Sequence, residues 1–129
     1  MYSDIVRSHA VRPQNRGPLA GANAQGASRY PRCGDTFLLQ LRIEDDVIVD
    51  ARFQAQACAP VVAMGSVGCS MLRGLSLSAA RQLSAFDLDR ALGGLPPAKR
   101  HAILLFLEAV YEAAESYVKI NESENFNHA

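Results

Sequence analysis

The stretch from Thr36 to Ala57 alternates apolar and polar residues with a period of two, which an extended strand, but not a helix, sorts onto opposite faces. Phe37, Leu39, Leu41 and Ile43 share one side, with Gln40, Arg42 and Glu44 opposite. After Asp45-Asp46 the alternation resumes, with Val47, Val49, Ala51, Phe53, Ala55 and Ala57 set against Asp50, Arg52, Gln54 and Gln56. The pattern predicts an antiparallel hairpin with one buried face. A two-residue turn at Asp45-Asp46 would pair Glu44 with Val47 and Phe37 with Gln54, mixing the faces. A three-residue loop, 44–46, pairs Ile43 with Val47 and keeps apolar opposite apolar, so it is the expected register.

The rest of the chain supplies helices to cover that face. Residues 2–10 predict a short helix anchored by Ile5 and Val6. Residues 12–32 are rich in glycine and proline and read as loop with at most one short strand. Gly17, Gly21 and Gly26 within it do not match a dinucleotide or phosphate-loop spacing. Pro60 suits the first turn of a helix running to Gly74. Leu77 to Leu83 and Asp87 to Leu92 predict two shorter helices. From Pro97, Ile103, Leu104, Leu107, Val110, Tyr111, Ala114 and Val118 fall on one stripe of a long amphipathic helix ending near Asn121. Residues 1–120 thus read as a single α+β domain, a small antiparallel sheet packed by helices, and 121–129 as a flexible tail.

Charge and composition exclude several function classes. Thirteen basic and thirteen acidic side chains cancel, which gives no electrostatic case for nucleic acid or an anionic membrane. No apolar run approaches the roughly 20 residues of a membrane span. The opening MYSDIVRSHAVRP carries no apolar stretch of secretory-signal length, so the expected compartment is the cytosol, where thiols stay reduced.

Three cysteines in such a compartment point to metal binding, redox chemistry or plain packing rather than to a disulfide framework. The expected hairpin register carries Cys33 opposite Ala57 and beside Cys58, with the two Cα atoms ~6 Å apart. Asp35 stands on the same strand as Cys33. The pair reads in three ways: small apolar residues at a strand end, a disulfide, or a shared metal or cluster site completed by the carboxylate. Cys69 lies ~13 Å along the helix from Pro60, too far to share a metal whose bonds to sulfur are ~2.3 Å, and reads as a core cysteine. Periodicity places His101 with Glu108, Glu112 and Glu115 at the edge of a polar face, the position of a solvated histidine. Ala102 falls with Phe106, Ala109 and Ala113 on a small-residue flank.

Six motifs, in order and spanning residues 2 to about 118, give the chain a wider identity. They are the opening Tyr2, Val6, His9, Pro13, Asn15 and Gly17; CGD at 33–35; DARF at 50–53; AQAC ending at Cys58; RGLSL at 73–77; and LPPAKRH at 95–101. Together they resemble the NifU N-terminal/IscU family of iron–sulfur cluster assembly scaffolds. The resemblance implies a three-stranded antiparallel sheet packed by helices, and a non-enzymatic protein that holds a transient 2Fe–2S cluster and transfers it to recipient proteins. Carried over residue by residue, the implied ligands are Cys33, Asp35, Cys58 and His101. The family's third cysteine is replaced by Ala102, so sulfur acceptance falls to Cys33 or Cys58. The implied partners are a cysteine desulfurase, an iron donor, recipient apo-proteins and an Hsp70-type chaperone. In IscU-type members the chaperone reads an LPPVK segment, here Leu95, Pro96, Pro97, Ala98 and Lys99. The missing thiol keeps an alternative open: a degenerate paralogue, zinc-bound or metal-free, that binds the desulfurase or the chaperone.

Overall fold

A computed structural model describes residues 1–127, with side chains described as far as 121. Helix α1 (Asp4–Val11) leads through a long loop into three strands, β1 (Ala24–Tyr30), β2 (Asp35–Glu44) and β3 (Val47–Gln56). Helices α2 (Ala59–Leu72), α3 (Leu77–Arg81) and α4 (Ala85–Ala91) follow, then a single 3-10 turn at Pro97–Lys99 and α5 (His101–Asn127). The sheet is antiparallel with order β1-β2-β3. This is the α+β architecture that the strand alternation and the motif set predict. No helix among the described residues is long and apolar enough to cross a membrane.

The hairpin register differs from the expected one. Glu44 pairs with Val47 across a two-residue turn, and Asp45 and Asp46 both take positive φ, 51° and 61°. That is the backbone of the turn whose twist matches a right-handed hairpin. The mixing of faces that argued against this turn is removed one step later by a bulge. Ile43 pairs with Ile48 but Arg42 with Asp50, which leaves Val49 without a partner. Beyond the bulge, Phe37 faces Ala55, Leu39 faces Phe53 and Leu41 faces Ala51, so apolar again opposes apolar. The outer edge of β3 is closed by the loop: Gly17 N–H donates to Phe53 O, and Phe53 N–H donates to Asn15 O, both at 2.9 Å.

One face of the sheet is covered by α2 and α5. Phe37 stacks on Phe53 at 5.6 Å between centroids and meets Phe106 edge-on at 5.9 Å. Two glycines of α2 let the helix close on these rings, because a Cβ at Gly65 would strike Phe53 and one at Gly68 would strike Phe106. Across the sheet, a Cβ at Gly26 of β1 would collide with the α5 backbone at Ala109 and Ala113.

That contact rotates α5 away from the expected stripe. Its buried side is Ala102, Ile103, Leu105, Phe106, Ala109, Val110, Ala113 and Ala114. Leu104 and Tyr111, expected on the buried stripe, are 58% and 63% exposed. Backbone-to-backbone approach at Gly26 selects the small residues for the interface and turns two large ones outward. The helix also continues to Asn127, past the end expected at Asn121; of the expected 121–129 tail, residues 128 and 129 and the side chains from 122 lie outside the described residues.

Candidate metal centre

Three chain segments end at one point. Asp35 is the first residue of β2, Cys58 is the N-cap of α2, and His101 is the first residue of α5. Each is placed by a local break in regular structure: the β1–β2 turn, the strand-to-helix switch before Ala59-Pro60, and the proline-led 3-10 turn before α5. His101 Nε2 lies 3.2 Å from Asp35 Oδ2 and 3.8 Å from Cys58 Sγ. One ligand atom from each residue falls within 4.8 Å of the others.

The group is sheltered. The Asp35 and His101 side chains are each 8% exposed and Cys58 is half-buried. The solvated histidine that periodicity suggests is therefore not observed, because position 101 opens the helix and points into the joint between β2 and α2. Tyr30, the last residue of β1 and the register partner of Asp35, stacks on the His101 ring at 4.4 Å and 16°. Burial pushes the Cys58 thiol above its ordinary value; the Val61 N–H opposes that, the Asp35 carboxylate adds to it through charge and a hydrogen bond, and Lys99 opposes it. The Cys58 thiol thus stands beside the side chains of Asp35 and His101.

Cys33 stands apart from this group. The turn after β1 is closed by Cys33 N–H and Gly34 N–H, both donating to Tyr30 O at 3.3 and 2.9 Å, with Gly34 at φ +70°. The ladder consequently ends at the Tyr30–Asp35 pair, and Cys33 lies beyond it in an exposed turn rather than on a strand opposite Ala57. The expected pairing of Cys33 with Ala57 is therefore not formed, because β2 opens at Asp35 and Cys33 is outside the sheet. Both cysteines are free thiols. Cys69 is buried in the core and burial pushes its thiol up to about 12, in keeping with the core reading.

The structure also locates the remaining motif residues. Ala102 is completely buried among core side chains. Leu95 is buried and its N–H donates to Asp89 Oδ1 at 2.9 Å, whereas Pro97 and Ala98 are exposed. Asn15, Asp50 and Arg73, drawn from three separate motifs, form one network away from the site. Arg73 Nε donates to Asp50 Oδ1 at 2.9 Å, Arg73 also donates to Ala51 O and to Asn15, and Asn15 Nδ2 donates to Ser66 O at 2.9 Å. Sequence reasoning missed Tyr30 altogether. Its signal was an aromatic residue just before the CGD turn, where a hairpin places it against Asp35.

A thiol, a carboxylate and an imidazole converging on one volume form a borderline donor set that suits zinc or iron. Three protein donors leave one tetrahedral position for a fourth ligand.

Comparison with known proteins bears on that geometry. Residues 1–124 match the family model of the NifU-like N terminal domain. The chain is 36% identical over 119 residues to an iron-sulfur cluster assembly scaffold protein IscU of Aquifex aeolicus, covering 91% of this chain and 76% of that protein. It is 33% identical over 121 residues to IscU 1 of Archaeoglobus fulgidus, covering 94% and 79%. In three dimensions it is similar to the crystal structure of a nitrogen-fixing NifU-like protein (N-terminal) from Brucella abortus, with a TM-score of 0.73 over 91% of this chain and 94% of that one, at 21% identity. With the motif order, the sheet-and-helix fold and the convergence of Asp35, Cys58 and His101 in place, the chain belongs to the family of NifU-like N-terminal domains.

Proposed function

We propose that this chain is an iron–sulfur cluster assembly scaffold, which holds a transient 2Fe–2S cluster as cargo and passes it to recipient apo-proteins in the cytosol. The observation that carries the reading is the convergence of Asp35, Cys58 and His101 at the meeting point of β2, α2 and α5. Cys33 is the proposed fourth ligand. It sits in the turn directly before Asp35, and its exposure makes it the thiol most accessible for accepting sulfur from a cysteine desulfurase. With position 102 occupied by a buried alanine, the cluster would rest on two thiolates, a carboxylate and an imidazole. The remaining proposed partners are an iron donor and an Hsp70-type chaperone that reads Leu95–Lys99, whose Pro97 and Ala98 are open to contact. In this role the protein binds and transfers; it does not catalyse.

Anaerobic reconstitution with iron, sulfide and a cysteine desulfurase tests the reading. The expected result is cluster absorbance in the parent and a large loss of bound iron and sulfide in Cys33→Ser and in Cys58→Ser. Equal iron and sulfide in parent and variants would overturn it.

A second reading, a zinc-bound partner of the desulfurase or chaperone, draws support from the same donors. Three ligand atoms within 4.8 Å fit one ion as well as they fit a cluster edge. It predicts stoichiometric zinc on isolation, no cluster on reconstitution, and cluster formation gained in Ala102→Cys.

A further inference from the structure

A metal-ligating histidine depends on its surroundings to hold the ring in place. Both side-chain polar contacts of His101 among the described residues, to Asp35 and to Cys58, run through Nε2. What bears on the rest of the ring is Tyr30, stacked nearly parallel at 4.4 Å. The terminal torsion of histidine is broad, so the ring plane swings widely unless something packs flat against it. Tyr30 is held at the end of β1 by its ladder pairing with Asp35. The hairpin end that supplies the carboxylate therefore also supplies the platform for the imidazole.

We propose that Tyr30 is a positioning residue whose ring fixes the plane of the His101 imidazole, so that Nε2 stays directed at the Asp35–Cys58 pair. This role rests on the metal-centre reading above and deepens it. Tyr30 touches no metal itself; it limits the ring orientations from which His101 can ligate. Flat contact is what matters, so the hydroxyl is dispensable and the aromatic face is not.

The test uses the full chain, zinc alone as the probe, and three proteins: the parent, Tyr30→Phe, and Tyr30→Leu, which keeps apolar bulk but loses the flat face. Affinity is read by competition with a chromophoric chelator. The zinc-bound nitrogen of His101 is read from its ring 15N shifts, assigned through loss of the signal in His101→Ala. The expected result is Nε2 ligation in the parent, a roughly three- to tenfold weaker affinity in Tyr30→Leu, and recovery of the parent affinity in Tyr30→Phe. Parent affinity in Tyr30→Leu, or Nδ1 ligation in the parent, would overturn the role. A loss shared equally by Tyr30→Phe would also overturn it, because the stacking face is retained there. Failure of the parent to take up zinc would overturn the metal-centre reading itself, and this role with it.

Discussion

Single side chains differ sharply in how far their neighbours reveal them. Cys69 and Cys58 carry the same group, yet one is sealed in the core and the other caps a helix at the site. Burial raises the Cys69 thiol from 9.0 to about 12. A raised thiol favours the protonated folded state, so its contribution to stability is complete below about pH 9 and is lost as pH climbs towards 12. The unfolded chain releases that proton first, giving a slope of up to ~1.4 kcal/mol per pH unit. Urea unfolding between about pH 8.5 and pH 10.5 should therefore show a steeper loss of stability in the parent than in Cys69→Ala; parallel slopes would refute the assignment. Cys69 was legible as a core residue because helix rise alone separates it from Cys58. His101 was not legible from periodicity, since a wheel describes a helix in isolation and says nothing of the strand end packed against its first turn.

At the scale of elements, small and buried polar residues set how helices sit on the sheet. Ser66 of α2 is fully buried, accepts from Gln14 N–H at 2.8 Å, and hydrogen-bonds His9 Nδ1 at 2.7 Å. It ties α1 and the following loop to the middle of α2. Ser66→Ala leaves the Gln14 donor and the His9 ring without that partner, and is expected to cost ~1–3 kcal/mol in urea unfolding. Zinc affinity should stay at the parent level, because none of these residues touches the site. Gly26→Ala is predicted to behave differently. Its Cβ would meet the α5 backbone, so the helix must shift as a body and carry His101 with it. A destabilisation of ~1–3 kcal/mol should come with weaker zinc binding, and a variant that lost stability but kept full affinity would contradict the coupling. The hairpin was readable from its alternation; the bulge at Val49 was not, because two local irregularities cancel in the hydrophobic pattern and leave no trace in it.

For the whole molecule, the centre is a clasp between parts of the fold that are far apart in sequence. Asp35, Cys58 and His101 come from β2, α2 and α5. Metal bound there stabilises only the folded chain, by ~2.7 kcal/mol when free metal is 100 times its dissociation constant. Zinc should accordingly raise the thermal midpoint of the parent, a chelator should reverse the gain, and Cys58→Ser should show little of either. A zinc-induced shift that persisted undiminished in Cys58→Ser would place the ion elsewhere. Alternation, helix periodicity and motif order determined by themselves the class of fold and its family, because period and spacing are properties of the chain written along its length. Tertiary structure alone decided the register, the face that α5 buries, the exposure of Cys33 and the stacking of Tyr30 on His101. Each of those depends on how closely two backbones approach, and that distance is set by contacts between residues that the linear pattern never brings together.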